Sequence, residues 1–282
     1  MRKKAWTIDR KNVTLTVGLL IVAGMLLIAL FAPFLKLHDP LEMNMAEKLI
    51  APCKEYPFGT DHMGRDIWSR IIEGARISLI TAVLVVVFSS VLGMIVGMIS
   101  GFCGGLADML LMRLVDVMLS FPTMVFILVV SSILGSGQIN LIIALCCVQW
   151  VRYARVARGE AILLKNAEYV EAAKVAGSSS MIIMVRYFVP AIVSKILVMA
   201  SLNISSVILY CASLSFLGLG AQPPSPDWGA MINDGRNYMQ YAPWMTLFPG
   251  LFIAVSAFGF NMIGDGIRDM LDPRMREAVQ SE

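Results

Sequence analysis

Histidine is nearly missing from this chain: His38 and His62 are the only two in 282 residues, and both fall in one polar stretch. That scarcity excludes a histidine-rich metal site, and it leaves no credible Ser/His/Asp constellation for catalysis. Cysteine is also scarce and unpaired in pattern. Cys53, Cys103, Cys146, Cys147 and Cys211 form no C-x-x-C, and the adjacent Cys146 and Cys147 lie inside an apolar block, so they read as small apolar packing residues. No Gly-rich phosphate loop with Lys-Ser/Thr is present, so energy for any work must come from another polypeptide or from an ion gradient. Charge is low as well: 15% of residues are charged, where a soluble domain carries about a quarter. The net charge of +3 gives no case for a nucleic-acid partner. The twenty methionines are scattered without a spaced cluster and read as packing residues.

What the chain has is apolar length. Hydrophobic residues make up 57% of it and the mean hydropathy is +0.73. They gather into blocks of roughly residues 13–35, 77–100, 109–134, 139–155, 191–217 and 244–264. Crossing a hydrocarbon core takes about 20 helical residues, so these predict an all-α integral membrane protein with six transmembrane helices, set in a membrane lipid environment. The basic start Met1-Arg2-Lys3-Lys4 could introduce a signal peptide, but the apolar run after it is too long and no clean small-x-small cleavage site follows. It reads as an uncleaved first span. With the N-terminus inside, 16 of the 23 Lys and Arg fall on the cytoplasmic side and 7 on the other. That excess predicts cytoplasmic N- and C-termini. The expected organisation is residues 1–76 (N-terminal tail, first span and outer segment), 77–265 (the transmembrane domain, with a loop at 159–190) and 266–282 (a cytoplasmic tail).

The long cytoplasmic loop is the informative feature, since long loops in compact bundles are usually functional. Residues 161–176 are rich in helix formers and predict one helix, stopped by Gly177 and the serines after it. A second short helix is expected over residues 181–188, running to Pro190. Ala172, Ala173 and Gly177 would let another protein approach the backbone closely, with Glu171 as a charged anchor. The alternative is an amphipathic helix lying on the bilayer, which calls for large apolar residues flanked by basic ones. Alanines and the three glutamates Glu160, Glu168 and Glu171 fit docking better.

Glu171-Ala172-Ala173, three residues, then Gly177 resembles the EAA motif of ABC importer permeases. Tyr187-Phe188-Val189-Pro190 stands where that family has Ile-x-Leu-Pro, keeping the proline and replacing the other two positions with bulky apolar residues. Residues 58–66 (FGTDHMGRD), 216–224 (FLGLGAQPP) with Asp227-Trp228-Gly229, and 260–269 (FNMIGDGIRD) with Leu271-Asp272-Pro273 are similar to the dipeptide, oligopeptide and nickel branch, and the short N-terminus to its "C" subunit. The resemblance implies a type I importer permease fold with cytoplasmic coupling helices in the bacterial inner membrane. It implies a homologous second permease, two ATPase subunits that hold ATP and Mg, and an extracytoplasmic binding protein. This chain then holds no cofactor and no catalytic residue. ATPase coupling falls to Glu171, Ala172, Ala173, Gly177 and Pro190. Transport proceeds by alternating access, and the substrate is left between di- or oligopeptides and nickel or a nickel chelate.

Asp116 lies within an apolar span, and two readings stand for it: a local ion pair with Arg113 three residues earlier, or a place on the translocation path. The loop at 219–243, stiffened by Pro223, Pro224 and Pro226 and bearing Trp228, suits reception of a binding protein or anchoring at the membrane interface. Rival readings of the whole chain are an ion-gradient-driven secondary transporter and a non-transporting membrane scaffold.

Overall fold

Pro122 divides what the sequence presents as one apolar block. The residue before a proline is pushed away from helical geometry, and Phe121 accordingly turns to φ −88°, ψ 142°. Helix α4 (Gly105–Ser120) ends there and α5 (Thr123–Leu134) leaves at 98° to it. The remaining helices are α1 (Lys3–Leu30), α2 (Ala32–Leu35), α3 (Ile67–Cys103), α6 (Gln138–Lys165), α7 (Glu168–Val175), α8 (Ser180–Ile183), α9 (Val189–Phe216), α10 (Trp228–Gly235) and α11 (Trp244–Leu271). A π turn over Met184–Phe188 joins α8 to α9 without a break in the helical rise. This computed structural model describes the backbone of residues 3–271 and the side chains of residues 13–270. Asp272 and Pro273 of the C-terminal signature lie outside the described residues.

Among the described residues, five unbroken helical stretches are long and apolar enough to cross a membrane: Val13–Leu30, Ile67–Cys103, Gln138–Lys165, Ser180–Phe216 and Trp244–Met270. The bent α4–α5 pair is apolar enough when its two helices are taken together, which brings the candidate spans to six if the pair counts as one. The expected straight helix over residues 109–134 is thus corrected to a broken one. α3 and α6 are among the helices that outrun the apolar blocks that announce them. α3 begins at Ile67 and passes unbroken through residue 76, and α6 continues ten residues past Arg155.

The chain divides into two compact units. In the first, of residues 1–83, 136–141 and 201–282, α1 lies along α11 and the polar stretch 36–66 is folded on buried charge. The Asp61 carboxylate accepts from the backbone N–H of Met63 and of Arg65 and from Arg65 Nε at 2.6 Å. Arg65 and Arg70 are almost wholly buried, Arg65 also facing Asp234 at 3.4 Å and Arg70 donating to the Pro40 carbonyl. Buried guanidiniums are tolerated only with such partners. Trp228 is fully buried and donates through Nε1 to the Ile71 carbonyl, and Trp244 Nε1 donates to that of Thr60. Trp228 is therefore a core residue of this unit and not an anchor at the membrane interface.

The second unit, of residues 84–135 and 142–200, is built on α3 and α6. Gly93, Gly97 and Gly101 recur every four residues on α3 and press against α6. A Cβ on them would stand 2.4 Å from the Trp150 carbonyl, 2.2 Å from the Ala154 carbonyl and 2.7 Å from Ala161 Cβ. Small residues at this spacing let membrane helices meet backbone to backbone. The contact holds the far end of α6, on which the loop of interest is mounted.

Candidate functional site

α6 delivers the chain to a short excursion at residues 166–179. The helix expected over 161–176 is interrupted at Asn166: α6 closes at Lys165, Ala167 is extended (ψ 137°), and α7 restarts at Glu168. Glu168 and Glu171 sit in the first turn of α7 and Lys174 in its last, each favourable to the helix dipole. Val170 and Ala173 point inward to Ala157 and Ala161 of α6, Ile183 of α8 and Phe188. This apolar seat fixes α7 against its own unit.

Gly177 ends α7 as expected. It adopts φ +81°, its N–H bonds the Lys174 carbonyl, and the Ser178 N–H bonds that of Ala173, both at 3.0 Å. These are the two bonds of the left-handed Schellman closure, which glycine adopts without strain. Ser179 then caps α8, accepting from the Ile182 N–H.

The predicted coupling residues separate into two sets. Glu171, Ala172 and Gly177 are exposed, and no atom stands within 4 Å of a Cβ built on Gly177. Ala173 is buried at 7% exposure, so it packs α7 down and offers nothing to a partner. Pro190 lies in the first turn of α9, directly after the π turn, and the separate helix expected over 181–188 is instead the start of one continuous span. A proline inside a helix removes one backbone hydrogen bond and crowds the preceding turn. The wider turn before Pro190, closed by Val189 N–H on the Met184 carbonyl, absorbs that mismatch.

Sequence reasoning passed over the apolar members of this surface. Val175 is 90% exposed, and Met181, Ile182 and Val185 are more than half exposed. Tyr169 rests against Tyr187 at 5.9 Å between ring centroids. The signal was available: bulky apolar residues flank the Gly177 stop on both sides.

Behind the loop, α6 carries arginines at 152, 155 and 158 that reach the bent pair in order. Arg158 grips Asp108 with two parallel bonds (2.5 and 2.7 Å), and Ser100 Oγ donates to the same carboxylate. Arg155 meets Asp116 at 2.6 Å, and Arg152 donates to Thr123 Oγ1 just past the bend. The expected Arg113–Asp116 pair does not form; the partner comes from another helix. On the opposite side of α6, Glu160 pairs with Lys195 of α9. Among the described residues, no three or more His, Cys, Asp or Glu gather as a metal ion would need.

In the first unit, Met43, His62, Met63, Arg65, Pro223, Pro224 and Asp234 line a cavity of about 300 Å³. His62 stacks on Tyr238 there.

A family described as "Binding-protein-dependent transport system inner membrane component" matches residues 93–277, and one described as "N-terminal TM domain of oligopeptide transport permease C" matches residues 1–52. A probable D,D-dipeptide transport system permease protein of Escherichia coli strain K12 is 40% identical, covering 96% of this chain and 91% of the relative. A dipeptide transport system permease protein of Alkalihalophilus pseudofirmus is 42% identical over 95% and 88%. An oligopeptide transport system permease protein of Bacillus subtilis strain 168 is 38% identical over the same shares. Escherichia coli glutathione transport system permease proteins match at 40%. Among solved structures, a chain of the MetNI methionine ABC transporter in inward-facing conformations superposes with a TM-score of 0.56 at 16% identity, over 72% of this chain and 96% of that one.

Proposed function

The chain belongs to the binding-protein-dependent transport system inner membrane components, and on that premise we propose that it carries di- or oligopeptides into the cytoplasm, driven through the exposed face of α7 and α8 by partner ATPase subunits. It is a multi-pass inner-membrane permease subunit of an ATP-driven importer, and such a permease works with ATPase and substrate-binding partners. Peptide is favoured over nickel because relatives matched along nearly the whole chain are named for dipeptide, oligopeptide and glutathione transport.

The observation that carries the coupling role is the exposed patch of Glu171, Ala172, Val175 and Gly177 beside Met181 and Ile182. The apolar members give a partner surface area to bury, and Glu171 gives it a charge to register against. Two ATPase subunits, holding ATP and Mg, seat there on this subunit and on a homologous second permease. The loop faces the cytoplasm, as do both termini, and the polar stretch 36–66 with the 219–243 segment faces the binding protein. ATP binding draws the ATPase subunits together, and the seated loops carry the spans between outward- and inward-facing states.

The test is reconstitution of the complex in proteoliposomes with and without its ATPase subunits. ATP-dependent peptide uptake that needs both them and the binding protein is expected. Uptake that persists without ATPase and follows an ion gradient overturns the reading.

A further inference from the structure

The polar residues of α4 fall at Arg113, Asp116 and Ser120, intervals of three and four that place them on one helix face. All three are exposed, on the first helix of the bent pair. α6 adds Arg155 to that face, and the side chains of Arg155 and Asp116 are 57% and 61% exposed. Charge at membrane depth is unfavourable against hydrocarbon and is found facing a bundle interior or a water-filled path. This face is not packed into its own unit, so water or a charged ligand is its natural neighbour.

The charges are unequal. Arg113 makes no ion pair with another described residue, and Arg155 has Asp116 alone. Asp108 does not redress the balance, since Arg158 occupies it with two bonds. The exposed face therefore carries two guanidiniums and one carboxylate, which pairs with Arg155. An exposed pair such as Arg155–Asp116 holds only weakly, so a second carboxylate can take the place of Asp116 at little loss. The fork of Arg155, bonded through Nη2 alone, has donors to spare for a carboxylate arriving in two-point geometry.

We propose that Arg113 and Arg155 form a carboxylate-binding step on the transport path, and that Asp116 holds Arg155 in place until the C-terminal carboxylate of a peptide displaces it. The proposal rests on the peptide-importer reading. Arrival of the peptide carboxylate brings the face from one excess positive charge to neutrality, and the displaced Asp116 stays on the same helix face as Arg113, three residues away. Because the pair is exposed and weak, the step holds the solute without trapping it.

The experiment uses the whole complex in proteoliposomes with its binding protein, reading uptake of a labelled tripeptide and binding-protein-stimulated ATPase activity in parallel. Arg155→Gln and Arg113→Gln are expected to lower uptake by about tenfold, with stimulated ATPase activity kept within about twofold. Arg155→Lys recovers part of the loss, and Asp116→Asn lowers uptake less than either arginine variant does. Equal loss in Asp116→Asn and Arg155→Gln, repaired by the charge-exchanged pair Asp116→Arg with Arg155→Asp, makes the pair a brace between helices or across subunits and overturns the proposal. So does failure of Asp116→Cys to react with a membrane-impermeant thiol reagent, measured against the parent chain. If the unaltered complex takes up no peptide, the importer reading itself fails. If it does so and both arginine variants match it, only this inference fails.

Discussion

Gly97 of α3 lies so close to Ala154 of α6 that a Cβ on the glycine would stand 2.2 Å from the alanine carbonyl. With Gly93 and Gly101 a turn away on either side, this contact sets the position of α6, and α6 carries both the arginine series and the loop that ends at Gly177. Position along one helix pair is thereby tied to the placement of the exposed face of α7. The predictions below begin from that dependence.

Gly97→Leu should fail to pack, because the obstruction is backbone and cannot rotate away. Overpacking of this kind costs about 1–3 kcal/mol or more, and Gly97→Ala should already show part of it. Thermal stability of the detergent-solubilised protein, followed by size-exclusion chromatography after heating, is the measure. Unchanged melting of the leucine variant would show that α3 and α6 do not meet here.

At Gly177 the outcome should divide by backbone conformation and not by size. Open space surrounds the position, yet φ is +81°, where a residue with a Cβ loses about 1–2 kcal/mol. Gly177→Ala and Gly177→Val should therefore both loosen the α7–α8 turn and lower uptake per ATP hydrolysed, while Gly177→Asn, which tolerates this conformation, stays nearer normal. Glu171→Lys should uncouple without affecting insertion. Normal transport by Gly177→Val and Glu171→Lys together removes the loop from its proposed role.

Trp228→Ala should destabilise the first unit by about 3–5 kcal/mol, the usual consequence of emptying a large buried aromatic site. The ring is fully buried and its N–H serves the Ile71 carbonyl, which would be left without that donor. Trp228→Phe should recover the packing but not the hydrogen bond, and melt between the two. Equal melting of the unaltered chain and both variants contradicts the burial.

A pH effect should appear at the alkaline end through Tyr56. Its hydroxyl donates to Glu47 at 2.5 Å, and this hydrogen bond, helped by burial and by nearby carboxylates, pushes its pKa up to about 12. An unfolded tyrosine ionises near 10, so the folded state binds the proton more tightly. The stabilisation is complete below about pH 10 and is lost as pH rises from about 10 towards 12. Melting temperatures of the unaltered chain and Tyr56→Phe should therefore differ at neutral pH and converge across that interval. A constant difference up to pH 12 would argue against the Tyr56–Glu47 bond.

Much of the α7–α8 loop was legible because its signals are local. Gly177 stops a helix wherever a left-handed residue must follow one, and the structure closes α7 there with both expected bonds. Asn166 was not read as a break because it is an ordinary residue amid helix formers; the restart at Glu168 follows from seating Val170 and Ala173 against α6. Asp116 shows the same limit. Spacing along α4 offers Arg113, whereas Arg155 stands 39 positions away in sequence and only the packing of α6 brings it to 2.6 Å.

The sequence by itself determined that this chain lives in a membrane, in about six crossings, because hydrophobic length is a property of composition and order. It also carried the family, through Glu171–Gly177 and three further ordered stretches. Only the tertiary structure decided which of those residues are free to meet a partner. It buried Ala173 while leaving Ala172 and Gly177 open, moved Trp228 into a core, bent the third block at Pro122, and gave Asp116 its arginine. Exposure and ion pairing depend on what other helices bring alongside, and no pattern within a single segment encodes that.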